Sequence, residues 1–225
     1  MKRLFCLILL IINFLLSYGQ RNADYGVFLG MSSYIGDINP DRLIYAPLPA
    51  AGLFYRYNLH PREAVRLNIF GCGLRASDKD FNNTFQQARG ASFTGEVGEV
   101  SAQFEFNFFN YTTLGRRWNF SPYFAGGIGA AFVNTVSFDI TPVIPASLGF
   151  KVNIYKNLGL EIEYDFRKTF YDNFDGLKDF VAPADRGWLH HNDWYSFLGV
   201  GLTWKMYNRL AGCPAYEDVD SRKKK

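Results

Sequence analysis

A strict two-residue alternation recurs along this chain and limits what it can fold into. In Leu158-Gly159-Leu160-Glu161-Ile162-Glu163-Tyr164-Asp165-Phe166-Arg167 the even positions are apolar or aromatic, and every odd position except Gly159 is charged. A β-strand sends successive side chains to opposite faces, so this segment has one apolar face and one ionic face. Segments that read as strands cover about 23–33, 50–59, 63–75, 94–109, 119–133, 143–155, 157–169 and 192–206. Eight is an even number, as single-chain bacterial outer-membrane barrels require. Each segment is long enough to cross a bilayer at a tilt of about 45°. No segment shows a helical period.

The alternation holds strand by strand. Gly98, Val100, Ala102, Phe104, Phe106 and Phe108 oppose Glu99, Ser101, Gln103, Glu105 and Asn107, and Val65, Leu67 and Ile69 oppose Arg66, Asn68 and Phe70. A soluble sandwich alternates too, but its polar face is solvent-exposed and richer in Lys and Thr. Here aromatics make up 18% of the chain and crowd the apolar face, which favours lipid on that side. The connections agree. Those after the second, fourth and sixth strands are mostly short, whereas 34–49, 76–93 and 170–191 are long; the one after the fifth, 134–142, is intermediate. Short turns on one side and long loops on the other are the asymmetry of periplasmic turns and extracellular loops. The expected fold is an all-β, eight-stranded antiparallel transmembrane outer-membrane barrel with a side-chain-filled lumen, both termini in the periplasm.

The start of the chain supports that location. Met1-Lys2-Arg3 precedes a nearly uninterrupted apolar run, Leu4 to Leu16, and then Ser17-Tyr18-Gly19, the pattern of a secretory signal peptide over residues 1–19. Cys6 lies too early for a lipoprotein signal. The expected division is therefore a signal at 1–19, a barrel over 20–207 and a periplasmic tail at 208–225. The net charge of +3 falls to +1 without Lys2 and Arg3, so there is no global footprint for nucleic acid.

An eight-stranded barrel is about filled by its own side chains. The inward set places Glu99, Glu105, Glu161, Glu163 and Asp165 against Arg56, Arg66, Lys151, Arg167 and Lys205. Five acids facing five bases is what a self-satisfied network demands where an unpaired charge is costly. Ala125, Gly127, Gly129 and Ala131 of the fifth strand leave room for long side chains opposite. The expected barrel is plugged and is not a channel.

Catalytic and metal readings are weaker. His190-His191 lie near Asp185, Asp193 and Ser196, which invites a Ser-His-Asp arrangement. No glycine-framed nucleophile elbow accompanies them, and adjacent histidines on an extended segment point to opposite sides. The same group has poor ligand spacing for a metal. Ala125-Gly126-Gly127-Ile128-Gly129 lacks the Lys-Ser or Lys-Thr of a phosphate loop and reads as close strand packing. No cofactor is expected.

After Met206-Tyr207 the alternation stops. The tail carries Cys213-Pro214-Ala215-Tyr216, then acids, then Arg222-Lys223-Lys224-Lys225. A solvated tail is one reading. The sharper one is a docking segment for a periplasmic partner at Cys213, Pro214 and Tyr216, with Cys213 forming an intermolecular disulfide in an oxidising compartment.

Several segments in order carry a family resemblance: Tyr34-Ile35-Gly36-Asp37-Ile38-Asn39-Pro40, Gly52-Leu53-Phe54-Tyr55-Arg56-Tyr57-Asn58, the run from Glu99 to Phe109, Ser121-Pro122-Tyr123-Phe124-Ala125-Gly126-Gly127-Ile128-Gly129, Arg167-Lys168-Thr169-Phe170 and Asn192-Asp193-Trp194-Tyr195-Ser196-Phe197. Together they resemble the PorG-like outer-membrane barrels of the type IX secretion system. The resemblance implies a non-enzymatic component that contacts the periplasmic ring of the PorK lipoprotein and PorN. It also implies a part in protein export and, in some members, in gliding motility. It brings no catalytic residues.

Overall fold

Neighbouring segments pair in chain order, and the last closes onto the first. The computed structural model describes residues 23–39, 42–111, 118–135, 138–155, 157–170 and 193–206. The strands are β1 (Ala23–Ile35), β2 (Leu48–His60), β3 (Glu63–Ser77), β4 (Ser92–Asn107), β5 (Phe120–Asn134), β6 (Phe138–Tyr155), β7 (Leu158–Thr169) and β8 (Trp194–Met206). All pairings are antiparallel, and β1 meets β8 from Ala23↔Met206 to Ile35↔Trp194, so closure leaves no free edge. At about 3.3 Å per residue and a tilt near 40°, strands of this length span the ~30 Å hydrocarbon core of a bilayer.

Burial runs opposite to that of a soluble sheet. Along β7, Glu161, Glu163, Asp165 and Arg167 are buried, whereas Ile162 between them is 51% exposed. The outward Leu29, Ile69, Ile128 and Leu148 are all more than half exposed. An apolar exterior around a charged interior is unstable in water and suited to lipid. At the end with short turns, outward Phe106, Phe108, Phe120, Phe150 and Trp204 form part of an aromatic girdle, with Phe106–Phe108 edge-on and Phe120–Phe150 stacked. The chain enters β1 and leaves β8 at this same end, called the turn end below.

Two expectations are corrected. The connection after β5 is not intermediate: β6 begins at Phe138, so only 135–137 separate the two strands. Pro142 and Pro145 lie inside β6, and the ladder runs from Gly126↔Ala146 to Gly129↔Val143 without pairing Pro145. A proline is tolerated there because its missing N–H falls in that gap. The second correction concerns helix. The β3–β4 connection holds a 3₁₀ turn (Asp78–Asp80) and one short helix, α1 (Thr84–Arg89). The Asn83 side chain caps its start by accepting the Phe85 N–H at 3.0 Å, and Gly90 closes it at φ 64°, a left-handed angle that favours glycine. Residues 1–22, His190, His191, Asp185 and the tail 207–225, with Cys213, Pro214 and Tyr216, lie outside the described residues.

Candidate functional site

Among the described residues the lumen concentrates titratable groups, and its geometry follows from strand register. On the inner face Arg56 of β2 stands directly opposite Arg66 of β3. Like charges in that position repel. They are held by carboxylates reaching across from β7, where Glu161 and Glu163, two residues apart, share a face. Arg56 donates from Nη1 and Nη2 to Glu161 at 2.6 and 2.7 Å and from Nε to Glu105 at 2.9 Å. Arg66 donates to both Glu163 oxygens at 2.5 and 2.9 Å and to Gln103. Lys151 is bonded to Glu105, the Tyr123 hydroxyl to Glu163, and the Thr203 hydroxyl to Glu161 at 2.7 Å. Arg167 donates to Glu99 at 2.7 Å and to Asp165 at 2.9 Å, and the Tyr195 hydroxyl joins on Glu99 at 2.5 Å.

All ten side chains expected in the lumen are there, and none is more than 3% exposed. The count of acids was one short, because Asp24 is buried on the same face and accepts from Asn58 at 3.0 Å. Its signal was present in the parity of β1, where Asp24 alternates with outward Tyr25 and Val27. Sequence reading also missed the Tyr123 and Tyr195 hydroxyls that complete the network, whereas Gln103 and Thr203 share the inward face by the same parity as Glu105 and Lys205. Glycines make room for the rings: a Cβ on Gly149 would lie 2.4 Å from Tyr123 Cζ, and one on Gly201 2.4 Å from Phe28.

Both mouths are closed by side chains. At the turn end Tyr111, from the β4–β5 connection, folds under the barrel; its hydroxyl donates to Asn153 at 2.5 Å, where Lys205 also donates at 2.6 Å. Lys151 and Lys205 sit over the Tyr111 ring at 4.9 and 5.0 Å. Toward the other end an aromatic layer of Phe28, Phe54, Phe70 and Phe197 lies between the Arg56–Arg66 cluster and Arg167, with Arg66 over Phe28 at 5.4 Å and Arg167 over Phe70 at 4.4 Å. Above it residues 36–39 and 42–47 and the connection 78–91 form a lid. Tyr34 and Ile38 are fully buried beneath it, and the Tyr34 hydroxyl donates to Asp193 at 2.5 Å. Gln86 of α1 donates to the Ile38 carbonyl at 2.9 Å, Tyr45 donates to Asp80 at 2.6 Å, and Arg42 stacks over Phe81.

Arg89 grips Asp78 with two bonds of 2.8 Å, while the Ala91 N–H donates to the same carboxylate. Those Arg89 bonds hold the Asp78 carboxyl below the usual carboxylate range. Burial, reinforced by Asp80, pushes the Tyr45 hydroxyl up.

Of the catalytic candidates, only Asp193 and Ser196 are among the described residues. The Ser196 hydroxyl donates to the Leu43 carbonyl at 3.2 Å, Asp193 accepts from Tyr34, and His60 is exposed at the end of β2. Among the described residues no cluster of three His, Cys, Asp or Glu side chains is placed to hold a metal. Cys72 is a free thiol buried on the lumen face.

The chain belongs to the family described as "Domain of unknown function (DUF6089)", which matches residues 2–215. No curated protein matches it. Among solved structures it is similar to Neisserial surface protein A, with a TM-score of 0.52 at 9% identity over 82% of this chain and 97% of that one. It is also similar to Ail, the attachment invasion locus protein of Yersinia pestis (TM-score 0.45, 12% identity, 82% of this chain and 99% of that chain). OprG, an outer membrane protein of Pseudomonas aeruginosa, gives 0.44 at 11% identity, covering 84% of this chain and 99% of its own. At such identities the likeness is one of fold: a closed, eight-stranded barrel of the outer-membrane type.

Proposed function

We propose that this DUF6089 member is a non-enzymatic outer-membrane barrel subunit of the type IX protein secretion system, anchoring or contacting the periplasmic ring of PorK lipoprotein and PorN. The observation that carries the reading is the sealing of the lumen. Arg56, Arg66 and Arg167 tie strands together across the interior, Tyr111 packs across one mouth and the Tyr34–Asp193 contact across the other, so the described side chains fill the lumen. What remains is a lipid-facing band that fixes the barrel in the membrane and two ends that meet other molecules. In this reading the turn end is periplasmic, a cleaved signal peptide precedes the barrel, and the tail with Cys213, Pro214 and Tyr216 reaches the ring.

Affinity purification from crosslinked membranes tests it. The full chain is expected to bring down the two ring proteins, and deletion of 208–225 to lose them and to lower protein export while the barrel still folds. Ring proteins absent from the full-chain sample would refute the assignment. Ring proteins undiminished after deletion would move the contact from the tail to the turns. Cys213→Ser, run on a non-reducing gel, tests the disulfide; a monomer-only wild type counts against it.

A second reading, an adhesion barrel outside the secretion machine, draws on the ordered lid, where Phe85 of α1 stands 70% exposed beside Arg89. Replacing the 78–91 connection with a short polar loop separates the two: an adhesin loses attachment, and a ring anchor keeps export.

A further inference from the structure

The outer wall changes character at one level near the lid. On β3 the outward positions run Leu67, Ile69, Gly71 and Gly73 before Arg75 and Ser77, and on β4 Val100 and Gly98 give way to Glu96, Thr94 and Ser92. Register sets the polar residues side by side, Arg75 opposite Thr94 and Ser77 opposite Ser92. Thr94 lies twelve residues from Phe106 of the turn-end girdle. At about 3.3 Å per residue and a tilt near 40°, that separation is roughly 30 Å along the membrane normal, the thickness of the hydrocarbon core. The polar row therefore stands at headgroup depth on the lid side.

A cavity of about 360 Å³ opens at this level between wall and lid. Arg75, Thr94 and Ser92 line it from the wall, and Tyr45, Ala46 and Asp80 from the lid. The lid side is fixed, because the Tyr45 hydroxyl accepts the Ser77 N–H at 3.1 Å and donates to Asp80 at 2.6 Å. Ala46 beside it takes φ 45°, a left-handed angle uncommon for a residue with a side chain. Strain of this kind persists where neighbours over-determine it and clusters at ligand sites. Arg75 is exposed and has no hydrogen-bond or ion-pair partner among the described residues, although Asp80 lines the same cavity and Glu96 is the next outward residue after Thr94. Below it the outward Gly71 pairs with Gly98, and a Cβ on Gly71 would meet nothing within 4 Å.

A guanidinium at headgroup depth meets lipid phosphate, which its planar fork binds through two N–H groups at once. A bare phosphate would be repelled by Asp80; a headgroup that also carries hydroxyls gives that carboxylate a donor. We propose that this cleft binds the phosphorylated sugar headgroup of a glycolipid in the lid-side leaflet. Arg75 holds the phosphate, Asp80 and the Ser92 and Thr94 hydroxyls take sugar hydroxyls, and an acyl chain lies along the bare wall at Gly71 and Gly98. The bound lipid bridges wall and lid. This site needs only a lipid-facing wall and is independent of any role in secretion.

Native mass spectrometry of the full chain, released from detergent micelles after titration with lipid A, reads the binding directly. The expected result is a lipid A adduct on the wild type that is absent with the dephosphorylated lipid. Arg75→Gln should weaken it about tenfold or more, the loss of a charge-assisted hydrogen-bonded contact. Thr94→Trp, which keeps the cation and fills the cleft, should weaken it likewise, and Arg62→Gln, an exposed arginine at the turn end, should not. Folding of each variant is read from its gel mobility before and after heating. Equal adducts on the wild type and both folded cleft variants overturn the proposal, as does equal binding of the dephosphorylated lipid. Full displacement of lipid A by millimolar inorganic phosphate overturns it too, because the site then serves a soluble anion. Loss of the ring proteins from an affinity purification would leave these adducts unchanged.

Discussion

Replacing Arg56 with Met removes the cation that ties β2 to β4 and β7 across the lumen. Methionine keeps most of the stem volume, so the cavity contribution is small and the cost is electrostatic. Glu105 still has Lys151, but Glu161 is left with the Thr203 hydroxyl at 2.7 Å and Tyr123 at 3.5 Å. Three charge-assisted hydrogen bonds at about 1.5–3 kcal/mol each set a ceiling of roughly 4.5–9 kcal/mol. Removing one partner of a buried ion pair costs about 3–5 kcal/mol. Because Lys151 rescues Glu105, the expected loss is about 4 kcal/mol. The double variant Arg56→Met/Glu161→Gln removes the orphaned carboxylate too, and should lose only about 1–2 kcal/mol, a coupling of at least about 2 kcal/mol against the two single variants. Reversible urea unfolding in lipid vesicles, followed by tryptophan fluorescence and by gel mobility, measures all four proteins. A single-variant loss under about 1 kcal/mol, the range of a solvent-exposed pair, would refute the reasoning. So would a double variant that costs the sum of the singles. Either result means that water reaches the lumen and screens the charges.

The same unfolding assay checks Gly149→Ala, whose new Cβ would press on a Tyr123 ring pinned by Glu163; a loss of about 1–3 kcal/mol is expected. Ile128→Arg places a charge midway along the outer face of β5 and should cost about 2–4 kcal/mol in vesicles, whereas an aqueous exterior would make it neutral. Asp78 titrates lower in the folded lid than in an unfolded chain. Its pairing with Arg89 therefore stabilises the lid above the unfolded carboxylate range and is lost as pH falls through the depressed folded value. Protease cleavage or amide exchange in 78–91 should accelerate in acid for the wild type, and Asp78→Asn should show fast cleavage at all pH values.

Parity made most of the barrel legible. Once Glu161, Glu163 and Asp165 are read as one face of a strand, the opposite face follows, and the alternation on each companion strand fixes which residues share the lumen. Parity says nothing about height, so the aromatic layer of Phe28, Phe54, Phe70 and Phe197 between the Arg66 and Arg167 clusters could not be read from it; that stacking depends on barrel shear. Nor could the floor. Tyr111 lies in a connection, where no period operates, and only the fold brings it under Asn153. Helix α1 is too short to show a period, and its only sequence signals are the Asn83 cap and Gly90. Pro142 and Pro145 mark β6 as a poor strand on local grounds, yet the gap opposite Pro145 absorbs the missing donor.

The filled lumen also constrains how any partner can act on this protein. To open a path along the axis, a partner would have to part Arg56 from Glu161 and Arg66 from Glu163 together, since the two arginines are cross-strand neighbours and their carboxylates sit two residues apart on β7. Each break leaves a buried charge uncompensated at about 3–5 kcal/mol, so the pair approaches the whole stability of a typical domain, about 5–15 kcal/mol. A contact at the turn end carries no such penalty. The energetically accessible response of this barrel is rigid-body: it is held, or it holds something, by its rims, while its wall and interior stay unchanged.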